Sequence, residues 1–290
     1  MDVSLDLTDT HVLITGGAGL IGSSVVKAFQ AAGARVSSLD IKYPREPRFV
    51  PSGLNAGSAG PGYVEHHVDI TSEESVKTAF DFAADKLGPV SVCIALGALD
   101  FSVIEHHDSA TTLSAEQFRR TLDVNVTGTF ITAREWLRGL NNLPKTKKLK
   151  NPGLIIIGSE SGVYGSKGNA DYGTSKSAVQ VGMLKSFAAD APRIWEGARV
   201  NAVAPGAVDT ERFKEECRED PFQYYTDAQA TVALCKPIPL ERVAKTILFL
   251  ASESFSGNIH GQLISVNSGK QGKLLYTEAE GRKRNPYLES

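Results

Sequence analysis

The 290-residue chain is long enough for one α/β domain with a large core, and its 41% apolar and 22% charged residues are typical of a globular protein. Its 31 basic residues nearly balance its 33 acidic ones, and the net charge of -2 provides no field that favours nucleic acid or an anionic membrane. The first ten residues lack the basic and apolar regions of a signal peptide, and no apolar run is long enough to span a bilayer, so we expect a cytoplasmic protein.

The first predicted strand, Val12 to Thr15, leads through a glycine-rich turn into a predicted helix, Gly19 to Ala32. Within the sequence TGGAGLIG, Gly17, Gly19 and Gly22 fit the spacing G-x-G-x-x-G. Glycines at these positions permit a tight turn and let the backbone approach a pyrophosphate, which the N-terminus of the following helix attracts. The segment therefore predicts a dinucleotide site.

The second predicted strand, Arg35 to Leu39, ends in Asp40, eighteen residues after Gly22. A carboxylate at this place is positioned to bind the ribose hydroxyls of NAD and to repel the 2′-phosphate of NADP. Asp40 therefore favours NAD over NADP. Lys42 and Arg45 lie close enough in sequence to keep NADP open.

Strand and helix patterns alternate through the rest of the chain without a domain break, which predicts an α/β fold with a doubly wound parallel sheet, the Rossmann fold, in a single domain. The segment from Pro44 to Gly62 is rich in proline, glycine and serine and predicts an irregular surface excursion. Further strands are predicted at Tyr63 to Val68, Ser91 to Ala95, Leu154 to Ile157, Arg199 to Ala204 and Gln262 to Val266. Further helices are predicted at Glu73 to Lys86, Ala115 to Leu140, Ala170 to Ala189 and Leu240 to Ala251.

Tyr172 and Lys176 lie four positions apart in a predicted helix, and Ser159 ends the apolar strand before it. Positions four apart share one helix face, so the Lys176 ammonium can stabilise the Tyr172 phenolate and lower a pKa of about 10 towards working pH. A phenol tuned in this way suits general acid and base catalysis at a carbonyl or carbinol oxygen. The pattern predicts a proton-transfer site in which Ser159 hydrogen-bonds the same oxygen.

With these motifs in register, the chain resembles the short-chain dehydrogenase/reductase family from about Val12 to about Gly269. The resemblance implies a catalytic tetrad of Asn125, Ser159, Tyr172 and Lys176. In the family the tyrosine is the acid and base, the serine positions the substrate oxygen, and the lysine binds the nicotinamide ribose and lowers the tyrosine pKa. The asparagine helps to hold a water-linked proton relay. The resemblance also implies a homodimer or homotetramer built on the two long central helices.

The resemblance assigns further residues to the cofactor and the substrate. Asp69 resembles the acid that contacts adenine, and Thr210 the residue that contacts the carboxamide or the diphosphate. The cofactor-binding residues predicted in this way are Gly16, Gly17, Gly19, Leu20, Ile21, Gly22, Asp40, Asp69, Ile70, Gly97, Tyr172, Lys176, Pro205, Gly206, Val208 and Thr210. The predicted substrate residues are Ser159, Glu160, Tyr164 and Phe213, with Phe101 as a further candidate.

The chain departs from the family pattern at three places. Leu20 stands where the ordinary single-domain branch has glycine, so the glycine motif resembles that of the larger, extended branch. The sequence from Ile94 to Gly97 replaces the usual Asn-Asn-Ala-Gly, so the hydrogen bonds of those asparagines must be replaced or absent. Asn267 and Ser268 replace Asp and Gly after the last strand, which we interpret as drift in a structural turn.

Aromatic residues lie among charged ones in the long segment from Asp209 to Pro239. This composition predicts an amphipathic lid over a mostly apolar, cyclic or aromatic alcohol or ketone, or else an oligomer interface. We assign residues 1–269, with the lid at about 207–239, to one Rossmann-fold domain. The charged residues 270–290 form a C-terminal tail that either lies across a neighbouring subunit or is disordered.

The sequence therefore favours an NAD(H)-dependent oxidoreductase that interconverts a secondary alcohol and a ketone, with Tyr172 as general acid and base. An epimerase or dehydratase of the extended branch, which would reduce NAD transiently, stays open, although the extended branch's C-terminal sugar-binding region is missing. A non-catalytic NAD-sensing protein also stays open, although all four tetrad residues are retained. The three cysteines and the pairs His66-His67 and His106-His107 lack the spacing of metal ligands, so no metal is predicted.

Overall fold

The computed structural model describes residues 4–51 and 62–288. Within these residues, eight strands form one sheet and two short strands form a second. The strands are β1 (His11–Thr15), β2 (Arg35–Asp40), β3 (Arg48–Val50), β4 (Tyr63–His67), β5 (Val92–Ala95), β6 (Gly153–Ile157), β7 (Arg199–Pro205), β8 (Val208–Asp209), β9 (Ile238–Pro239) and β10 (Leu263–Val266). The main sheet has the order β10-β7-β6-β5-β1-β2-β4-β3. Its pairings are parallel apart from β3 with β4, which confirms the doubly wound parallel fold.

Helices connect the strands and cover both faces of the sheet. In the described residues they are α1 (Leu20–Ala31), α2 (Glu73–Leu87), α3 (Ala115–Leu122), α4 (Thr129–Asn141), α5 (Ser161–Tyr164), α6 (Ala170–Ser177), α7 (Leu184–Ile194), α8 (Glu211–Glu219), α9 (Pro221–Ala228), α10 (Leu240–Ala251), α11 (Glu253–Ser256) and α12 (Glu278–Arg282). No helix in residues 4–51 and 62–288 combines the length and the apolar composition that crossing a membrane requires.

The central strands are buried on both faces, which explains their continuous apolar sequences. Successive side chains of a strand point to opposite faces. Leu13 accordingly packs in one core cluster with Trp136 of α4, while Ile14 packs in the other with Phe29 of α1. The two faces of β1 thereby pack against helices on opposite sides of the sheet.

The seven predicted strands are all present, but two predicted long helices are interrupted. The π-helical turn Asp123–Gly128 separates α3 from α4, and the π-helical turn Ala178–Met183 separates α6 from α7. A π-helical turn takes one extra residue and so changes the face on which later side chains lie, which apolar periodicity does not reveal. The prediction of irregular structure from Pro44 to Gly62 is wrong at Arg48–Val50, which pairs antiparallel with β4. Residues 52–61 of this predicted irregular segment lie outside the described residues.

The tail folds back onto the lid of its own chain. The Tyr225 hydroxyl of α9 donates a 2.9 Å hydrogen bond to Tyr276 O. Asn285 Nδ2 donates a 2.8 Å hydrogen bond to Pro221 O, at the start of the same helix. The prediction of disorder is therefore wrong for residues 270–288, because backbone and side-chain contacts attach them to α9.

The parallel strands direct their carboxyl ends to one edge of the sheet, where ligands bind in sheets of this topology. The chain proceeds from β1 to β2 on one side and later returns to β5 on the other, so the strand order switches between β1 and β5. The glycine turn after β1 and the loop after β5 meet at this switch point. A Cβ atom on Gly16 would lie 2.8 Å from Gly97 Cα, so the two backbones touch.

Candidate active site

The predicted catalytic side chains come together at the carboxyl edge of the sheet. Tyr172 and Lys176 lie one turn apart in α6, and Ser159 follows β6 beside them; all three are buried. Lys176 Nζ lies 5.6 Å from the centre of the Tyr172 ring and donates a 3.1 Å hydrogen bond to Ile157 O. The arrangement brings a hydroxyl, a phenol and an ammonium to one place.

Burial is the main influence on the titration of these groups. It raises the pKa of Tyr172; a hydrogen bond from Ser159 lowers that pKa, and the charges of Asp100 and Glu160 raise it further. Burial also lowers the pKa of Lys176 to about 8, against the opposing charge of Asp100. The Tyr172 pKa therefore moves upward, opposite to the direction predicted from its spacing to Lys176, because both groups are removed from water.

Asn125 joins the loop after β5 to α6, the helix of the predicted catalytic residues. It lies in the first π-helical turn, where its Oδ1 accepts a 2.7 Å hydrogen bond from Leu99 N and its Nδ2 donates to Leu99 O at 2.9 Å. Nδ2 also donates to Ser175 Oγ at 3.0 Å, and that hydroxyl donates to Tyr172 O at 2.8 Å. The side chain thus fixes α6 against the loop, while its part in a proton relay stays a prediction.

The glycines of the turn after β1 are packed so tightly that side chains at these positions would clash with neighbouring atoms. Gly16 has a φ of +73°, which favours glycine. A Cβ atom on Gly22 would lie 2.0 Å from Gly16 O, and one on Gly17 would lie 2.0 Å from Ser38 Oγ. Leu20 begins α1 with an exposed side chain, so it does not fill the turn in place of the family's glycine. The bare backbone before the N-terminus of a twelve-residue helix suits a diphosphate.

One carboxylate, that of Asp40, ends β2, and another, that of Asp69, follows the neighbouring strand β4. Asp40 Oδ2 accepts a 3.0 Å hydrogen bond from Ala18 N in the glycine turn, and Oδ1 accepts one of 2.9 Å from Lys42 N. Asp69 Oδ1 accepts hydrogen bonds from Thr71 N at 2.9 Å and Thr71 Oγ1 at 2.7 Å. Asp40 is therefore attached directly to the turn that suits the diphosphate. These residues fit an adenosine dinucleotide.

Thr15 binds the backbone of the loop after β5, the loop in which the family's two asparagines are absent. Its Oγ1 accepts from Leu96 N and from Gly97 N, both at 3.2 Å. Ile70 fills the neighbouring space, because a Cβ atom on Gly128 would lie 2.7 Å from Ile70 Cγ1. Sequence reasoning missed Thr15, whose one signal was its position at the end of β1.

Phe101 lies against the Tyr172 phenol. Its ring centre is 4.3 Å from that of Tyr172, which gives the site an apolar wall. Arg212 of α8 donates to Ser102 O at 2.7 Å and to Phe101 O at 3.3 Å, so α8 holds this loop in place. Phe213, a predicted substrate residue, packs instead in a lid cluster with Cys217, Tyr224 and Ala228.

Glu160 is paired with a residue of the tail that sequence reasoning missed. Its Oε1 lies 2.8 Å from Lys270 Nζ, and both side chains are mostly buried. The hydroxyl of Tyr164 donates to Lys270 O at 2.7 Å. A Cβ atom on Gly206 would lie 2.4 Å from Glu160 Oε2, so this pair lies beside the turn after β7. No sequence motif connects Lys270 with position 160.

The remaining predicted residues lie around this turn. Glu160 N donates to Pro205 O at 2.8 Å, and Gly206 N donates to Val266 O at 2.9 Å. Val208 pairs with Ile238 across the small second sheet at the base of the lid. Thr210 Oγ1 accepts from Phe213 N at 3.2 Å and caps α8.

Histidine and cysteine side chains do not form a metal site in the described parts of the chain, where no group of three potential ligands is found. His66 Nδ1 donates to His67 O at 2.6 Å, and His67 Nδ1 donates to Tyr43 O at 3.0 Å. Cys93, Cys217 and Cys235 are buried free thiols.

Comparison with known proteins identifies the family. A family model described as enoyl-(acyl carrier protein) reductase matches residues 17–271. Acetoacetyl-CoA reductase from Synechocystis sp. is 30% identical over 265 residues, which cover 91% of this chain and 98% of the relative. The chain is a short-chain dehydrogenase/reductase.

Two further matches agree with this short-chain dehydrogenase/reductase assignment. Xanthoxin dehydrogenase from Arabidopsis thaliana is 31% identical over 264 residues, which cover 89% of this chain and 88% of the relative. The ligand-free structure of Thermoplasma acidophilum aldohexose dehydrogenase matches with a TM-score of 0.71 at 25% identity and covers 91% of this chain and 94% of its own. The resemblance inferred from the sequence is confirmed, and the family binds NAD(H) or NADP(H).

Proposed function

We propose that this short-chain dehydrogenase/reductase is an NAD(H)-dependent enzyme that interconverts a secondary alcohol and a ketone on a small, cyclic or aromatic substrate. The observation that carries the proposal is the buried group of Ser159, Tyr172 and Lys176 at the carboxyl edge of the sheet. Two relatives that carry the name dehydrogenase, for xanthoxin and for aldohexose, support oxidation of an alcohol. The ring of Phe101 against Tyr172 supports a substrate with an apolar or cyclic face.

Cofactor binding is assigned to the glycine turn and the two carboxylates. The backbone between Gly16 and Gly22 would hold the diphosphate, Asp40 the adenosine ribose and Asp69 the adenine. When bound, a nicotinamide dinucleotide supplies or accepts the hydride. Asp40 underlies the proposed preference for NAD, since its carboxylate would lie beside a 2′-phosphate and repel it.

Proton transfer is assigned to Tyr172. In ketone reduction its hydroxyl donates a proton to the substrate oxygen, which the Ser159 hydroxyl also holds by a hydrogen bond. The raised pKa of Tyr172 keeps the phenol protonated at neutral pH and so suits this direction. The Lys176 ammonium, 5.6 Å from the ring centre, stabilises the phenolate that forms. In alcohol oxidation the same phenolate accepts the proton.

We also propose that the protein is a cytoplasmic homodimer or homotetramer assembled through its central helices. Phe130 of α4 and Val181 of the second π-helical turn expose large apolar side chains there. Burial of such side chains between subunits stabilises an oligomer. Size-exclusion chromatography with light scattering tests this assignment.

The catalytic proposal is tested with purified protein by titration with NADH and NADPH and by absorbance at 340 nm against cyclic and aromatic alcohols and ketones. We expect tighter binding of NADH and turnover of at least one alcohol or ketone. Tyr172→Phe should retain NADH binding and lose turnover about 1,000-fold or more, because it lacks the transferable proton. Tyr225→Phe, which removes a hydroxyl of α9 that within the described residues bonds Tyr276 O alone, is the matched control and should retain turnover. NADH binding without turnover of any substrate by the wild type would favour a sensing protein.

A further inference from the structure

Gln180 lies in line with the catalytic residues of α6 and is almost fully buried, with 1% of its surface exposed. It follows Lys176 by four positions, as Lys176 follows Tyr172, and it belongs to the π-helical turn Ala178–Met183. A π-helical turn shifts side chains away from the α-helical spacing, so the position of this amide is given by its contacts. Those contacts place it beside Ser159, two residues after Ile157, whose carbonyl oxygen Lys176 binds.

The Gln180 amide holds the backbone of Ser159. Its Oε1 accepts a 2.9 Å hydrogen bond from Ser159 N. The neighbouring amides are bound elsewhere, since Gly158 N donates to Val203 O and Glu160 N donates to Pro205 O, each at 2.8 Å. The sheet thus fixes the residues on either side of Ser159, and Gln180 fixes Ser159 itself.

The hydroxyl of Ser159 is oriented from a second direction. Ser159 Oγ accepts a 3.1 Å hydrogen bond from Ser161 N. With this acceptor position used, the hydroxyl proton is directed towards another acceptor, which is the Tyr172 oxygen in this structure and the oxygen of a substrate when one is bound. A small displacement of a group that positions the substrate can lower the reaction rate strongly. The position of the Ser159 backbone therefore determines where the substrate oxygen is held.

Two glycines leave the space that Gln180 occupies. A Cβ atom on Gly158 would lie 2.0 Å from Gln180 Oε1, and its nearest neighbours all belong to that side chain. A Cβ atom on Gly162 would lie 2.4 Å from Gln180 Nε2. Gln180 Nε2 itself has no hydrogen-bond partner in the described residues. Within the described residues, the bond from Ser159 N to Oε1 is therefore the one hydrogen bond that the Gln180 side chain makes.

We propose that Gln180 is a positioning residue, whose side-chain carbonyl holds Ser159 so that the serine hydroxyl faces the oxygen protonated by Tyr172. Gln180 acts through Ser159 and touches neither substrate nor cofactor. The kinetic part of this inference rests on the proposed oxidoreductase function. The structural part, the hold on the Ser159 amide, does not.

The decisive variants keep the shape of the side chain and change its acceptor. Gln180→Met retains the length but has no oxygen, whereas Gln180→Glu retains an oxygen that accepts from Ser159 N. Gly158→Ala is a third variant, which displaces Gln180 without changing it. Asn201→Leu is the matched control, because it removes an equally buried amide that bonds Ile259 O and Gln262 N away from the site.

We expect Gln180→Met to lower kcat on the best alcohol of the panel about ten- to hundredfold, with the NADH dissociation constant changed less than about twofold. Gln180→Glu should retain clearly more of kcat than Gln180→Met, and Gly158→Ala should resemble Gln180→Met. Asn201→Leu should lower the unfolding temperature and leave kcat near that of the wild type. Wild-type kcat in Gln180→Met, equal losses in the Met and Glu variants, or an equal loss in Asn201→Leu would overturn the proposal.

Hydrogen exchange of residues 158–162, followed by mass spectrometry, provides a readout that needs no substrate. We expect faster exchange at Ser159 in Gln180→Met and in Gly158→Ala, and unchanged exchange there in Asn201→Leu. Unchanged exchange in Gln180→Met would overturn the hold on Ser159. If the wild type turns over no substrate, the proposed function fails while this measurement still decides the role of Gln180. If Gln180→Met does not fold, Gly158→Ala decides it.

Discussion

Lys176 Nζ lies 5.6 Å from the centre of the Tyr172 ring, and both side chains are buried. The proximity that suits the pair to stabilise a phenolate also removes an ammonium from water. Burial lowers the pKa of Lys176 to about 8, so the folded chain disfavours the ammonium form. The proposed role of Lys176 needs that ammonium, so the proposed chemistry and the stability of the fold conflict at this residue.

Replacing this lysine should stabilise the fold. The pKa of Lys176 is lowered from 10.5 to about 8 on folding. The destabilising contribution of the ammonium is therefore fully present below pH 8 and disappears as pH rises to 10.5. The shift corresponds to at most about 3 kcal/mol. We expect Lys176→Met to increase the free energy of unfolding at pH 7, less so at pH 10, and to lose turnover. Urea unfolding at both pH values checks this, and a Lys176→Met variant less stable than wild type at pH 7 would contradict it.

Acid should weaken the fold through His11. Its Nδ1 donates to Gly88 O at 2.6 Å and its Nε2 accepts from Ser37 Oγ at 2.8 Å, an arrangement that suits the neutral ring. Burial lowers the pKa of His11 from 6.5 to about 4, so stability present above pH 6.5 is lost as pH falls to 4, by about 3 kcal/mol. We expect the free energy of unfolding, measured with urea, to fall less between pH 7.5 and pH 4.5 in His11→Gln than in the wild type. His106→Gln, which replaces an exposed histidine, should show the same fall as the wild type. A fall in His11→Gln equal to that of the wild type would exclude His11 as the cause of the acid sensitivity.

Where a chemical requirement acts over a short stretch of chain, sequence reasoning selected residues that the fold brings together. The glycine turn, Asp40 and the spacing of Tyr172 to Lys176 are local patterns, and the structure places all of them at one edge of the sheet. Apolar runs likewise located the central strands, since parallel strands are buried on both faces.

Sequence reasoning failed where a contact joins distant parts of the chain or depends on helix geometry. The pairing of Lys270 with Glu160 spans 110 positions, and no local rule selects it. The two π-helical turns leave the apolar pattern nearly unchanged, yet they determine where Asn125 and Gln180 point. The predicted direction of the Tyr172 pKa shift was wrong for a similar reason, because residue spacing does not reveal burial.

Cofactor preference should depend on Asp40 and not on Asp69. Removing the Asp40 charge lowers the repulsion of a 2′-phosphate and weakens the hold on ribose hydroxyls. We expect Asp40→Asn to weaken NADH binding about tenfold and to shift the NADPH-to-NADH affinity ratio towards NADPH. Asp69→Asn, the matched control at the adenine, should weaken both cofactors alike. Fluorescence titrations of the two variants compare these ratios, and an unchanged ratio in Asp40→Asn would remove the basis for the NAD assignment.

The ion pair between Lys270 and Glu160 should connect the tail to the stability of the site. The side chains are 19% and 14% exposed, and burial raises the pKa of Glu160 while Lys270 opposes that rise. Breaking a buried pair leaves one charge without compensation, whereas removing both charges does not. The two single variants and the double variant therefore have different expected stabilities.

We expect Lys270→Met to lower the free energy of unfolding by about 3 kcal/mol at pH 7, because the Glu160 carboxylate then lies buried without its partner. Glu160→Gln combined with Lys270→Met should regain most of that loss, since no charge remains. At pH 4.5 the Lys270→Met variant should lose less of its free energy of unfolding than at pH 7. The pKa of Glu160 is raised by burial, so at this pH the unpaired carboxylate can take up a proton and lose its charge. Lys77→Met, which removes an exposed partner of Asp81, is the control and should leave stability almost unchanged. If the double variant is no more stable than Lys270→Met, the loss comes from packing of the tail and not from the unpaired carboxylate.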